Sequence, residues 1–94
     1  MSVAETIRTK LTEALAPSEL QVVDDSARHA GHAGAQPGGE THFNVVVVAS
    51  AFAGRSRLER QRLVHTLLAD ELAGPVHALS LRLMTPDERG SLSP

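Results

Sequence analysis

Apolar side chains recur every four residues from Val3 to Leu15, and this period predicts a first amphipathic helix. Ser2 and Glu5 have the spacing of a capping box at its start, and Pro17 ends it. We therefore expect one face of this helix to lie in the core.

Three later segments have the composition of β-strands: Leu20 to Ser26, His42 to Ser50 and Val76 to Met84. Four consecutive valines in the second segment indicate that both of its faces are covered or flanked, which places it at the centre of the sheet. The third segment alternates, with His77 on the same face as three leucines.

A helical crossover is predicted between the second and third strands. Gly54 to Arg57 predicts a turn or short helix, and the spacing from Val64 to Leu72 predicts a second long helix that ends at Gly74 and Pro75. The first two strands should pair antiparallel, and the right-handed crossover should bring the third strand parallel to the second. The predicted fold class is α+β, with helices on one face of a three-stranded mixed sheet.

Residues 27–39 contain four glycines and a proline but no large aliphatic side chain, which predicts a long mobile loop. Long loops inside a compact domain more often have a function than serve only as connections, and this one contains His29 and His32. The last ten residues have no hydrophobic period. We therefore expect residues 1–86 to form one domain and residues 87–94 to form a flexible tail.

Composition removes several classes of function. The 94 residues have a formal net charge of -2, which argues against a protein that grips nucleic acid through bulk positive charge. The absence of cysteine excludes disulfides, thiolate metal sites and a cysteine nucleophile. No segment has the apolar length of a signal peptide or membrane span, so a soluble, cytoplasmic protein is expected.

Nothing in the sequence supports catalysis. Asp24 and Asp25 are adjacent, so on a strand they point to opposite faces and cannot act as paired carboxylates. No nucleophile has a base at a recognisable spacing, and no phosphate-binding loop is present. We therefore expect a protein that is not an enzyme.

One local concentration of positive charge stands out, with only Glu59 opposing it: Arg55, Arg57, Arg60 and Arg62. Such a run is most often a solvated helix face, and the alternatives are an acidic partner surface or DNA phosphates. Some nucleic-acid-binding domains approach the phosphate backbone through a GXXG loop, but the second glycine is missing after Gly54. Sequence-specific RNA binding is therefore disfavoured.

Six short motifs, in this order and spacing, resemble the BolA family: VVDDS at 22–26, HAGH at 29–32, ETHF at 40–43, FAG at 52–54, RLVH at 62–65 and VHAL at 76–79. The resemblance covers nearly the whole chain. It implies a fold like the type II KH domain and a role as partner of monothiol glutaredoxins in iron and iron–sulfur cluster handling. Some members of the family are described as DNA-binding regulators.

The resemblance also implies two cluster ligands. The family's cluster-binding histidine lies in the VHAL motif, here His77, and a second ligand comes from the glycine loop, where members carry histidine or cysteine. His32 fits that place better than His29 because it lies nearer to ETHF. The chain departs from the family in its second long helix, where many members show RHR and this chain has Arg60, Gln61 and Arg62.

Each histidine also has a structural interpretation. A lone histidine such as His77 is commonly a core-edge residue bonded to a backbone carbonyl, and His32 can equally be a solvated loop residue. We interpret His42 as structural, bonded to Glu40 or to backbone, and His65 as a half-buried packing residue.

Two neutral imidazoles can bind one iron of a [2Fe–2S] cluster, but the other iron needs thiolates, which this chain lacks. In the family these come from the glutaredoxin's active-site cysteine and from glutathione, so a heterocomplex is expected. Zinc or copper binding by the same histidines is an alternative.

Overall fold

The computed structural model describes residues 2–25 and 41–92, so the predicted glycine loop with His29 and His32 lies outside the described residues. Within these ranges the elements follow one another as α1 (Val3–Leu15), β1 (Glu19–Asp24), β2 (His42–Val48), a 3₁₀ helix (Ser50–Phe52), α2 (Arg57–Leu67), α3 (Ala69–Ala73), β3 (Ala78–Met84) and α4 (Pro86–Leu92). None of these helices has the length and apolar character that crossing a membrane requires.

The three strands form one mixed sheet in the order β1-β2-β3. β1 pairs antiparallel with β2, and β3 pairs parallel with β2. The register places Val22 and Leu81 on either side of Val45. The predicted α+β fold class, the strand directions and the central position of the valine-rich strand are confirmed.

α1 and α2 bury one face of the sheet. Ile7, Leu11 and Leu15 are the buried residues of α1, as the four-residue spacing predicts. They join one core cluster with apolar side chains from the sheet and the crossover: Val22, Phe43, Val45, Val47, Ala49, Phe52, Val64, Leu68 and Val76. Burial of this apolar surface is the main stabilising contribution to the fold.

A capping box also begins α2, and the sequence analysis missed it. The Glu59 backbone N–H donates to Ser56 Oγ (3.1 Å), and the Ser56 N–H donates to the Glu59 carboxylate (2.7 Å). These bonds hold the pKa of Glu59 below its ordinary value. The S-x-x-E spacing was visible in the chain, and it sets the start of α2 at Arg57.

The prediction of one long second helix is wrong, because the helix is divided at Leu68. Leu68 has φ -105° and ψ 21°, and its side chain is buried. The chain then turns into α3, where both carboxylate oxygens of Glu71 lie within 2.9 Å of Lys10 Nζ on α1. This contact between helices is tertiary, so local helical spacing could not indicate it.

The strands differ at their ends from the predicted bounds. β1 begins one residue earlier than predicted and ends at Asp24. β2 ends at Val48, because the 3₁₀ helix begins at Ser50. β3 begins at Ala78, so His77 lies directly before the strand and not within it.

Residues 87–92 of the predicted flexible tail belong to the helix α4, which is attached to the domain. Thr85 and Glu88 bond each other across its first turn, backbone to side chain in both directions (2.9 and 3.2 Å). Arg60 on α2 donates to both carboxylate oxygens of Glu88 (2.6 and 3.1 Å). The bonds between Thr85 and Glu88 begin this helix locally, as in a capping box, and the ion pair attaches the helix to α2.

The Arg60–Glu88 pair predicts a pH dependence of stability. The hydrogen bond from Arg60 lowers the pKa of Glu88 from 4.5 to about 2. Because the folded-state pKa is the lower one, this stabilisation is present above pH 4.5 and is lost as the pH falls to about 2. We expect Glu88→Gln to lower the urea midpoint at neutral pH and to match the wild type near pH 2.

Glu13→Gln is the matched control, because Glu13 is exposed on α1. It should leave the midpoint unchanged at both pH values. A Glu88→Gln midpoint equal to that of the wild type at neutral pH would show that the ion pair contributes nothing to stability.

Candidate histidine site and arginine groove

Thr41 connects the starts of β2 and β3. Its side chain is buried, and its carbonyl oxygen accepts the backbone N–H groups of His77 (2.7 Å) and Ala78 (3.2 Å). The chain therefore enters β3 at a position fixed by hydrogen bonds from β2. His77 is held there through its backbone, while its side chain is exposed.

The same residue positions the ring of His42. Thr41 Oγ1 lies 2.8 Å from His42 Nδ1, and the tautomer of the imidazole decides which atom donates. The rings of His42 and His77 meet edge to face, with centroids 6.3 Å apart and planes at 70°. Two imidazoles, one at the first residue of β2 and one directly before β3, thus share one corner of the sheet.

This corner is also where the histidine-bearing segment leaves and rejoins the described chain. Asp25 is the last described residue before that segment, and its N–H donates to the His42 carbonyl (2.7 Å). Thr41 is the first described residue after it. Both attachment points of residues 26–40 therefore lie at the histidine pair.

The structure corrects two interpretations of single histidines, those of His77 and His65. His77 is exposed and so is not a core-edge residue. His42 bonds the Thr41 hydroxyl, whereas Glu40, its predicted partner, lies outside the described residues. His65 is exposed on α2 and not half-buried, because only the Val64 side of that helix turn faces the core.

The described residues do not form a complete metal site by themselves. No cluster of three or more histidine, cysteine, aspartate or glutamate side chains suited to a metal ion occurs among residues 2–25 and 41–92. The chain also has no cysteine. The donor chemistry of the corner is therefore that of one or two imidazoles, which need further ligands to hold iron.

A second candidate surface lies at the opposite end of β3. A groove of about 900 Å³, here called the arginine groove, separates the start of α2 from that strand; its lining is Arg55, Arg57, Arg60, Gln61, Leu81, Arg82, Leu83, Met84 and Glu88. Arg62, although predicted as part of this set, is not among these residues. Arg82 was missed: it lies on the face of β3 opposite the leucines that pack on the core, and the sequence gives no sign that it reaches the groove at the strand edge.

Arg60 differs from the other arginines of the groove. Besides its two bonds to Glu88, Nη1 donates to the Leu83 carbonyl (3.3 Å), and the guanidinium carbon lies 5.8 Å from the Phe52 ring centroid. These contacts together make it a structural residue. The predicted set of four arginines is therefore divided between a structural residue, two residues of the groove and one that lies elsewhere.

Comparison with known proteins agrees with this architecture. A family model described as BolA-like protein matches residues 11–88. The chain is 55% identical over 80 residues to BolA-like protein 1 of Homo sapiens, which covers 85% of this chain and 56% of that protein. It is 43% identical over 88 residues to the DNA-binding transcriptional regulator BolA of Escherichia coli (strain K12), covering 94% and 80% of the two chains.

A solved structure shows the same fold. BolA1 from Arabidopsis thaliana superimposes with a TM-score of 0.85 at 44% identity, covering 100% of this chain and 98% of that one. A small mixed sheet backed by helices is thus shared with BolA domains. The chain belongs to the BolA-like family, and it spans 61% or less of the lengths of the mammalian relatives that it matches.

The hydroxyl of Thr41 should control the tautomer of His42. We expect Thr41→Val to destabilise the fold by about 1–2 kcal/mol, since it leaves the His42 Nδ1 position without this partner. Long-range ¹H–¹⁵N correlation spectra should then show His42 shifting from one tautomer to a mixture.

Thr41→Ser keeps the hydroxyl and is the control, which should preserve the wild-type tautomer. If Thr41→Val and Thr41→Ser gave the same imidazole spectrum, the hydrogen bond would not orient His42.

Proposed function

We propose that the chain is an accessory protein in iron–sulfur cluster assembly and trafficking that forms a [2Fe–2S]-bridged heterocomplex with a monothiol glutaredoxin. The observation that carries this proposal is the exposed His77, held beside His42 where the segment bearing His29 and His32 joins the described chain. Membership of the BolA-like family supports it.

The donor set fits a shared cluster better than a resident one. His77 would supply one imidazole and a histidine of residues 29–32 the second, so the chain would bind one iron through nitrogen. Thiolates for the other iron would come from the glutaredoxin and from glutathione, because the chain has no cysteine. When bound, the cluster would be the cargo that the pair carries.

The role proposed is not enzymatic. The description of the family and the names of the relatives contain no enzymatic activity. The chain's own contribution would be to present His77 from a position fixed by Thr41. A cytoplasmic location remains a prediction from the sequence.

DNA binding is the second candidate, favoured by the name of the Escherichia coli relative, a DNA-binding transcriptional regulator, and by the charge of the arginine groove. Its support is reduced, because Arg60 is engaged with Glu88 and Arg62 lies outside the groove. DNA binding would weaken steeply as salt rises, since counterions are released. Cluster-bridged association would depend instead on iron, sulfide and glutathione.

His77 should be required for the cluster but not for the fold. We expect His77→Ala to alter the visible absorption and circular dichroism of the cluster reconstituted with a monothiol glutaredoxin. Because the side chain is exposed, far-ultraviolet circular dichroism should be unchanged.

His65→Ala is the matched control, since His65 is exposed on α2 and away from the corner. Its complex should have the wild-type spectrum. Two results would contradict the proposal: identical spectra for His77→Ala and wild type, or a stable [2Fe–2S] species on the isolated chain without partner or thiol.

The second ligand can be identified by its reduction potential. We expect His32→Ala to make the cluster more labile than His29→Ala does, because His32 lies nearer to β2 in the chain. His32→Cys should retain the cluster and lower its potential, since thiolate donates more negative charge to iron than imidazole does.

Protein-film voltammetry and the rate of cluster loss to a chelator measure these effects. An unmoved potential in His32→Cys, together with rapid loss in His29→Ala, would assign the ligand to His29. If the reduction potential and the rate of cluster loss matched the wild type in every variant, neither His29 nor His32 would be a cluster ligand.

A further inference from the structure

β3 is an edge strand of the sheet. Its even-numbered residues bond towards β2: the Ala78 N–H donates to Thr41, and the Met84 carbonyl accepts from Ala49. Since backbone groups alternate in direction along a strand, those of Leu79, Leu81 and Leu83 point away from β2. Within the described part of the chain, the only partner recorded for them is Arg60, at the Leu83 carbonyl.

The charge beside this edge is positive. The groove is lined by four arginines and one glutamate, and the Arg60–Glu88 pair cancels two of these charges, so three positive charges remain. Arg55, Arg57 and Arg82 make no ion pair with any described residue. A carboxylate-rich partner would neutralise them.

We propose that the arginine groove and the β3 edge bind an acidic, extended peptide segment of a partner protein, which adds to the sheet as a fourth strand. The backbone of such a segment would pair with Leu79 and Leu81. Its side chains would alternate between the helix side of the sheet, where Arg57 lies, and the open side, where Arg82 lies, so that carboxylates on the two sides could reach both arginines. This binding uses no metal ligand and is independent of the cluster-sharing role.

The surface fits a peptide better than a nucleic acid. Both phenylalanines are buried, and the chain has no tryptophan or tyrosine, so no phenylalanine, tryptophan or tyrosine ring is exposed on which bases could stack. Gly54-Arg55-Ser56-Arg57 also lacks the second glycine of a nucleotide-clamping loop. A free strand edge, in contrast, offers the backbone donors and acceptors that a peptide needs.

A synthetic peptide of about ten residues that alternates pairs of valines with pairs of glutamates tests the proposal, because it spans the strand and presents carboxylates on both faces. With the ¹⁵N-labelled full chain, we expect saturable shifts centred on residues 79–83 and slower exchange of the Leu79 and Leu81 amide hydrogens. N-methylation of alternate peptide residues, on the edge that faces β3, should abolish both effects.

Two variants and one control test the charge. Arg57→Ala and Arg82→Ala should each weaken the peptide affinity about tenfold, whereas Arg62→Ala, on the same helix as Arg57 but outside the groove, should change it less than about twofold. All three arginines are exposed, so the variants should fold as the wild type does.

Three outcomes would overturn the proposal. The first is no saturable binding of the alternating peptide. The second is equal binding of the N-methylated peptide, which would mean charge attraction without strand pairing. The third is that duplex or single-stranded DNA of matched charge binds more tightly than the peptide and gives the same dependence on Arg57 and Arg82, which would assign the groove to nucleic acid.

Discussion

The parallel pairing of β3 with β2 is the interaction on which both functional surfaces depend. At the amino end of β3, the Thr41 carbonyl accepts two N–H groups and so sets His77 beside His42. At the carboxyl end, the same pairing sets Arg82 opposite the start of α2. A parallel pair requires a crossover, and the helices of that crossover cover the core face of the sheet. The pairing of β3 with β2 therefore determines the strand topology, the packing of the crossover helices and the positions of both surfaces.

Arginines in this chain differ in role according to their neighbours. Arg60 bonds a carboxylate and a strand-edge carbonyl and lies near a buried aromatic ring, so its charge serves to attach α4. Arg82 has no described acidic partner, and its charge faces solvent at the groove. A cluster of like charges in a sequence can thus combine structural residues with residues available for binding.

The histidine corner and the arginine groove lie at opposite ends of one strand of seven residues, roughly 23 Å long at ordinary strand rise. The two surfaces offer different chemical groups. The histidine corner offers imidazole nitrogens, and the arginine groove offers guanidinium groups beside the backbone N–H and C=O groups of the strand edge. A partner at the corner need not cover the groove, so two interactions can coexist on this small domain.

The sequence by itself determined the features that depend on near neighbours. The four-residue period marked the buried face of α1, and the valine run marked β2 as the central strand, since both patterns come from residues a few positions apart. The His77 ligand prediction came from motif resemblance, and its test remains biochemical. Only tertiary structure decided that α3 contacts α1 and that α4 is attached to α2, because Lys10 and Glu71 lie 61 positions apart and Arg60 and Glu88 lie 28 apart. Contacts between residues so far apart in sequence produce no periodic pattern of side chains. Contacts of this kind also bring Arg82 to the groove and His42 beside His77.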